Sequence, residues 1–199
     1  MENPARSLAH FTRTTERRAA LDEKVTEVLR EHDRITLEIG SGHGHYLNAY
    51  AAAHPEQFCV GIDIIIDRFE RSEKKRRRAA LANLVFLRAE ALEFLAAFPG
   101  TTKLTNTFIL FPDPWPKRRH HKNRLLQAPF LTELARHSVP LAKLYFRTDF
   151  AEYFDASLKV VSAHPDWTVV DEPWPFELET VFQARAPAYR SWIARRKAE

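Results

Sequence analysis

Glycine and cysteine are scarce in this sequence, and long apolar runs are missing. Five glycines in 199 residues exclude a collagen, and the single cysteine, Cys59, excludes a disulfide scaffold. No stretch approaches the ~20 apolar residues that a membrane span needs. Residues 1–18 carry four arginines and lack the apolar core of a secretory signal. These absences predict a protein of a reducing, cytoplasmic compartment, with no membrane partner.

Chain length and composition fit one water-soluble globular domain. The 199 residues correspond to 23.1 kDa, with 45% hydrophobic and 28% charged side chains. We predict an N-terminal arm and helix over residues 1–33 and one domain over residues 34–199, without internal repeats. The sequence leaves open whether the protein is a monomer or a homodimer.

Basic side chains are concentrated in three windows, although the formal net charge is only +4. Residues 67–78 hold seven basic and three acidic side chains, whereas residues 117–124 and 185–197 each hold five basic and no acidic ones. Contacts of Lys and Arg with phosphates release condensed counterions and dominate nucleic-acid affinity. The segregation therefore predicts a positive surface for a polyanionic partner.

Apolar strand-like segments alternate with helix-like segments along the chain, which predicts an α/β fold. In the final third, short strands follow one another too closely for a crossover helix, which indicates an antiparallel C-terminal edge on a doubly wound, mostly parallel sheet. The predicted strands are 35–39, 58–63, 84–87, 105–111, 142–147, 167–170, 179–185 and 189–194. The predicted helices are 15–32, 44–53, 67–82, 90–98, 124–138 and 150–163.

Three of the five glycines fall within five residues, directly after the first predicted strand. Gly40, Gly42 and Gly44 would let the backbone approach a ligand closely at the N-terminus of the next helix. Such a turn at the carboxyl edge of an open sheet is typical of nucleotide binding. The dinucleotide fingerprint requires glycine at position 45, where His45 stands, which argues against a nicotinamide cofactor.

Acidic residues stand at the ends of three predicted strands. Asp63 follows Gly40 by 23 positions, close to the ~20-residue spacing at which a carboxylate reaches a ribose hydroxyl. Glu38 directly precedes the glycine turn, where it could attract the cationic methionine part of S-adenosylmethionine (SAM). Glu90 follows the third strand at the same edge. As an ordered set these acids predict an adenosine-containing cofactor.

The segment after the fourth strand is rigid and then strongly basic. Three prolines among residues 112–116 fix φ and hold Asp113 and Trp115 in set directions. The basic stretch through Arg124 would hold phosphates. The histidines of the chain lack the cysteine or carboxylate spacing of metal ligands, so no metal site is predicted, and Cys59 is interpreted as a core residue.

Taken together, these motifs resemble the bacterial tRNA (guanine-N7)-methyltransferases. The resemblance covers roughly residues 35–196 and implies the seven-stranded, Rossmann-like sheet of SAM-dependent methyltransferases. It further implies SAM-dependent methylation of guanine N7 at position 46 of the tRNA variable loop. Its motifs are the glycine turn with Glu38, Gly61-Ile62-Asp63, Phe111 to Lys122, Thr148-Asp149 with Tyr153-Phe154, and Thr180-x-Phe182-Gln183.

Residue roles follow from this resemblance position by position. The family usually has glutamate where Gln183 stands, and an amide there could accept a hydrogen bond but would supply no charge. Glutamate is also frequent at position 63, and a basic residue at position 123. Implied cofactor contacts are Glu38, Gly40, Gly42, Gly44, Asp63, Glu90 and Asp113, with Asp113 as the catalytic residue. Implied tRNA or guanosine contacts are Lys117, Asp149, Thr180 and Gln183.

Other interpretations of the same residues stay open. A SAM-dependent enzyme could act on another RNA, a protein or a small molecule, but the basic windows favour an RNA. A non-catalytic RNA-binding module on this fold is disfavoured because the glycine turn and all three strand-end acids are present. A nicotinamide-dependent reductase is disfavoured by His45.

Overall fold

One mixed sheet of seven strands organises the part of the chain that the computed structural model describes, residues 4–178 and 188–198. The strand order is β3-β2-β1-β4-β5-β7-β6. Strands β1 to β5 pair in parallel, and β7 runs antiparallel to both β5 and β6. The predicted antiparallel C-terminal edge is therefore confirmed. The strands are β1 (Arg34–Ile39), β2 (Phe58–Asp63), β3 (Leu84–Arg88), β4 (Lys103–Leu110), β5 (Ser138–Thr148), β6 (Trp167–Val170) and β7 (Arg190–Arg196).

Helices cover both faces of this sheet, as parallel strands require. Core residues from α1, α4, α5 and α6 pack on one face, whereas core residues from α2 pack on the other, beside α3. None of the helices within the described ranges is long and apolar enough to cross a membrane. The helices are α1 (Pro4–Leu29), α2 (His45–Ala53), α3 (Ile66–Ala79), α4 (Ala91–Ala96), α5 (Ala128–His137) and α6 (Ala151–Ser162).

Most element boundaries agree with the sequence prediction, but two helices begin at other residues. The helix predicted to begin at residue 15 begins at Pro4, within the stretch predicted as an arm. The helix predicted from residue 124 begins at Ala128, because a separate 3₁₀ helix, Arg118–Asn123, occupies the preceding basic segment. The strand predicted at 179–185 lies outside the described residues. The division at residue 33 stays a prediction.

Close packing beneath the glycine turn requires Gly61 in the middle of β2. A Cβ atom at this position would lie 2.5 Å from the Phe86 ring and 3.0 Å from the Leu47 side chain. Both neighbours are buried, so neither can move away without opening the core.

We expect Gly61→Ala to lower the free energy of unfolding by about 1–3 kcal/mol, because the added methyl overpacks this contact. Urea denaturation measures the change. Gly100→Ala is the matched control, since a Cβ there meets nothing within 4 Å, and its effect should stay within about 0.5 kcal/mol. Equal losses in the two variants would contradict the packing argument.

Candidate active site

A pocket of about 360 Å³ opens at the carboxyl edge of the parallel strands. Four of the predicted site residues line it, namely Gly40, Asp63, Glu90 and Asp113. Asp63 is the last residue of β2, and the other three follow the ends of β1, β3 and β4, respectively. The strand order places these four strand ends side by side. From β1, the sheet extends to β2 and β3 on one side and to β4 and β5 on the other. The pocket lies where this strand order reverses, which is where open α/β sheets bind ligands.

The glycine turn depends on left-handed backbone. Gly40, Gly42 and Gly44 have φ angles of +73°, +56° and +69°, which side chains other than glycine rarely adopt. Gly44 also lacks room for a Cβ atom, which would lie 2.6 Å from the Phe86 ring. Lys75 supports the turn from α3, because its Nζ donates to the main-chain oxygen of His43 at 2.8 Å.

Asp63 ties the glycine turn to the end of β2. One carboxylate oxygen accepts a hydrogen bond from the main-chain N–H of Gly42 at 2.9 Å, and the other accepts from Ile65 at 2.8 Å. Arg68 lies 3.9 Å away and supplies a positive charge. The side chain is thus fixed at the pocket wall while each oxygen keeps a lone pair for a ligand hydroxyl.

Glu38 lies behind the pocket wall rather than on it. The residue is 3% exposed and is not among those that line the pocket. Burial raises the pKa of its carboxyl well above the ordinary value; the main-chain N–H of Leu47 opposes this rise, and the charge of Asp63 adds to it. Within the described residues, Oε2 of Glu38 has no hydrogen-bond partner. A buried acceptor without a partner is costly to maintain, so this oxygen is available to a cationic or donating ligand group.

Glu90 caps helix α4 at the opposite side of the pocket. Its Oε2 accepts from the main-chain N–H groups of Leu92 at 2.9 Å and Glu93 at 3.0 Å. The cap fixes the carboxylate in place and leaves Oε1 for a ligand. Exposed apolar side chains of Ile64 and Ile65 complete the wall near Asp63. These two residues were not predicted from the sequence, although three consecutive isoleucines after a strand-end acid are an unusual signal.

The loop that carries Asp113 forms the remaining wall. It leaves β4 through Phe111, whose φ of +50° turns the chain and whose N–H donates to the Arg147 oxygen at 2.8 Å. Trp115 has a φ of +45° and is 37% exposed. Asp113 is exposed and lines the pocket together with Gly40, so the loop and the glycine turn face one cavity.

The predicted tRNA-contacting residues are less concentrated. Lys117 is exposed at the start of the 3₁₀ helix, and Asp149 is exposed directly after β5, but neither lines the pocket. Thr180 and Gln183 lie outside the described residues.

The basic windows differ in how many of their charges stay available. Among the described residues, no acidic side chain pairs with Lys117, Arg118, Arg119 or Lys122, and all four are exposed. We call these four residues the basic patch. Arg124 does not belong to it, because its side chain is 5% exposed, so the interpretation that it holds phosphate is wrong.

Three arginines of the C-terminal window make contacts within the fold. Arg190 pairs with Asp155 at 2.8 Å, Arg195 lies 3.7 Å from Glu172, and Arg196 donates to the Ser138 oxygen at 2.6 Å. Acidic partners therefore offset the charges of Arg190 and Arg195, whereas Arg196 is held by a neutral main-chain oxygen.

The side chains of Cys59, His43 and His45 have pKa values shifted by burial. Burial raises the pKa of the Cys59 thiol to about 12, so the residue is a neutral core side chain as interpreted. Burial, followed by the charge of Lys75, lowers the pKa of His43 and of His45. Within the described ranges, no group of three or more His, Cys, Asp or Glu side chains is arranged to hold a metal ion.

The donor and acceptor set of the pocket fits SAM. Asp63 has fixed carboxylate oxygens that ribose hydroxyls could reach, and Gly40 lines the pocket without a side chain in the way. Behind this wall, the carboxylate oxygen of Glu38 that lacks a partner adds negative charge suited to a cationic group when the carboxyl is ionised. The seven-stranded sheet and this pocket define the class of SAM-dependent methyltransferases.

Comparison with known proteins identifies the family. Residues 32–185 match the family model described as "Putative methyltransferase". A tRNA (guanine-N(7)-)-methyltransferase of Magnetococcus marinus is 34% identical over 79% of this chain and 65% of its own length. One of Azorhizobium caulinodans is 32% identical over 80% of this chain and 75% of its own length. The chain belongs to the family of the tRNA (guanine-N(7)-)-methyltransferases.

The chain spans slightly less than two thirds of the length of the Magnetococcus relative.

Solved structures confirm the fold. A 16S rRNA (adenine(1408)-N(1))-methyltransferase from Catenulisporales acidiphilia, determined with SAM, superposes with a TM-score of 0.59 at 18% identity. The match covers 89% of this chain and 92% of that chain.

The buried carboxyl of Glu38 leads to a pH-dependent prediction. Its pKa is raised in the folded state relative to about 4.3 in the unfolded chain, so ionisation favours unfolding as the pH rises above that value. Glu38→Gln removes this penalty. As the pH is raised from about 5 to about 8, the stability of the variant relative to the native protein should increase, measured without ligand by urea denaturation. A difference that does not change with pH would contradict the raised pKa.

Proposed function

We propose that this protein transfers the methyl group of SAM to N7 of guanosine 46 in the variable loop of tRNA. The observation that carries the proposal is the pocket in which Gly40, Asp63, Glu90 and Asp113 meet beside the basic patch. Membership of the family supports the choice of guanine N7 and of tRNA. The cytoplasm, where tRNA is modified, is the compartment that this activity implies.

The reaction requires positioning of the reactants and stabilisation of developing charge rather than a strong base. Guanine N7 carries a lone pair and no proton, so the nucleophile needs no deprotonation. Bound SAM supplies an electrophilic methyl group on a sulfonium. The protein has to hold the purine in line with that methyl group, and orientation of this kind can supply much of the acceleration.

Asp113 is suited to stabilise the charge that develops on the purine. The ring gains positive charge as N7 is methylated, and a fixed carboxylate beside it favours that state over neutral guanine. Asp113 is exposed on the pocket wall, where a base could enter. Asp113 or Asp149 could also accept hydrogen bonds from N1–H and the exocyclic amine of guanine, which together are not found on the Watson–Crick edge of adenine.

The RNA would approach from the side of the basic patch. The patch follows the Asp113 loop directly, so phosphates held there bring a nucleotide toward the pocket. Trp115, partly exposed on the pocket wall, offers an aromatic face on which an extruded base could stack. The patch thus gives affinity, and the pocket gives the choice of base.

The role of Asp113 is tested by Asp113→Asn. We expect kcat for methyl transfer to unmodified tRNA to fall about 100-fold, because the carboxylate stabilises the charged state more than neutral guanine, while tRNA affinity changes less than about threefold. Labelled SAM and nucleoside analysis measure the rate and the methylated atom. Asp33→Asn is the control, because Asp33 is exposed directly before β1, at the edge of the sheet opposite the pocket. This variant should leave kcat unchanged. Full activity of Asp113→Asn would contradict the assigned role, and label on an atom other than guanine N7 would contradict the proposed function.

The basic patch is tested by removing three of its charges. The triple variant Lys117→Gln, Arg118→Gln, Lys122→Gln should weaken tRNA binding and reduce the slope of log affinity against log salt by about 2–3. A control variant removes the same charge from the opposite edge of the sheet, with Arg30, Arg34 and Arg136 each changed to Gln. Binding is measured by filter retention at several salt concentrations. An equal change in both variants would indicate that only net charge matters.

A further inference from the structure

A buried arginine fastens the far end of the loop that carries Asp113. We infer that Arg124 is a positioning residue that fixes Asp113 for methyl transfer, an inference that rests on the proposed function. Its side chain is 5% exposed, and its Nε donates to the main-chain oxygen of Pro114 at 2.9 Å. Pro114 directly follows Asp113, so this hydrogen bond acts one residue from the carboxylate.

The guanidinium of Arg124 is itself held by helix α6. Its Nη2 donates to Oε1 of Glu152 at 3.3 Å, and its central carbon lies 5.0 Å from the centre of the Tyr153 ring. Tyr153 is 1% exposed, and its hydroxyl accepts from the main-chain N–H of Leu126 at 3.2 Å. A planar guanidinium satisfies the carbonyl, the carboxylate and the ring at once, which the single ammonium of a lysine cannot do.

The loop has a second anchor at its beginning, so Asp113 lies between two fixed points. The N–H of Phe111 donates to the Arg147 oxygen at 2.8 Å, and the Pro114 oxygen accepts from Arg124. Within the described residues, the carboxylate of Asp113 has no hydrogen bond or ion pair of its own. Its direction is therefore set by the main chain on either side, where the two anchors and the flanking prolines restrict movement.

Arg124 differs in role from its basic neighbours because of its burial. The side chains of the basic patch reach solvent, where phosphates can contact them, whereas the guanidinium of Arg124 is enclosed by the loop and α6. Its loss is expected to change the rate of the chemical step rather than the electrostatic part of tRNA affinity. A displacement of about 1 Å in a positioned group can cost about 100-fold in rate.

Arg124→Met tests the inference, because methionine removes the hydrogen bonds and keeps an apolar stem over Tyr153. We expect single-turnover methyl transfer at saturating SAM and tRNA to slow about 100-fold. The tRNA Kd should change less than about twofold and the salt slope should stay the same. Arg124→Lys keeps the charge and should remain at least about tenfold below the native rate.

Arg196→Met is the matched control, since Arg196 also donates to a main-chain oxygen, that of Ser138, at the opposite edge of the sheet. It should keep the native rate even if its Tm falls as much as that of Arg124→Met. A loss of rate shared by both variants, or full restoration by lysine, would overturn the positioning role. A lower salt slope with an unchanged rate would instead make Arg124 a phosphate contact.

Hydrogen exchange separates this inference from the proposed function. The N–H of Phe111, which donates to Arg147, should exchange faster in Arg124→Met than in the native protein or in Arg196→Met, because the loop has lost one of its two anchors. If the native protein transfers no methyl group to tRNA, the proposed function fails, while the exchange still reports on the anchor. Unchanged exchange at Phe111 would overturn the inference even if the proposed function holds.

Discussion

The parallel alignment of β1 to β4 is the constraint on which the whole site depends. Parallel strands end at one edge, so residues that follow them are brought together however far apart they lie in the chain. Gly40, Asp63, Glu90 and Asp113 meet in one pocket for this reason. The pairing also requires helices on both faces, which makes the strands buried and the edge the available place for a ligand.

Around that edge, main-chain hydrogen bonds fix the acids that the pocket presents. Asp63 accepts from Gly42 and Ile65, and Glu90 accepts from the first N–H groups of α4. Glu38 is the exception, because burial leaves one of its oxygens without a partner among the described residues. An unpaired buried acceptor is destabilising, which fits a site in which stability is lost for the sake of a ligand.

The proposed catalytic residue and the proposed RNA contacts lie on adjacent parts of one segment. Proline-restricted backbone carries Asp113 and Trp115 toward the pocket, and the following 3₁₀ helix presents the basic patch to solvent. Arg124 ends this segment and turns inward, where it connects the loop to α6. The proposed sites for the base and for its phosphates are therefore held close together along the chain.

The sequence alone determined the fold class, the glycine turn and the strand-end acids, because hydrophobic periodicity and the order of elements fix which residues share a sheet edge. It also indicated the family, through short motifs whose chemistry depends on residue type and spacing. Only the tertiary structure separated Arg124 from its basic neighbours, placed Arg190, Arg195 and Arg196 in contacts within the fold, and put Glu38 behind the pocket wall. Burial and pairing depend on contacts between segments that are distant in the chain. The order of charged residues in the sequence does not contain those contacts.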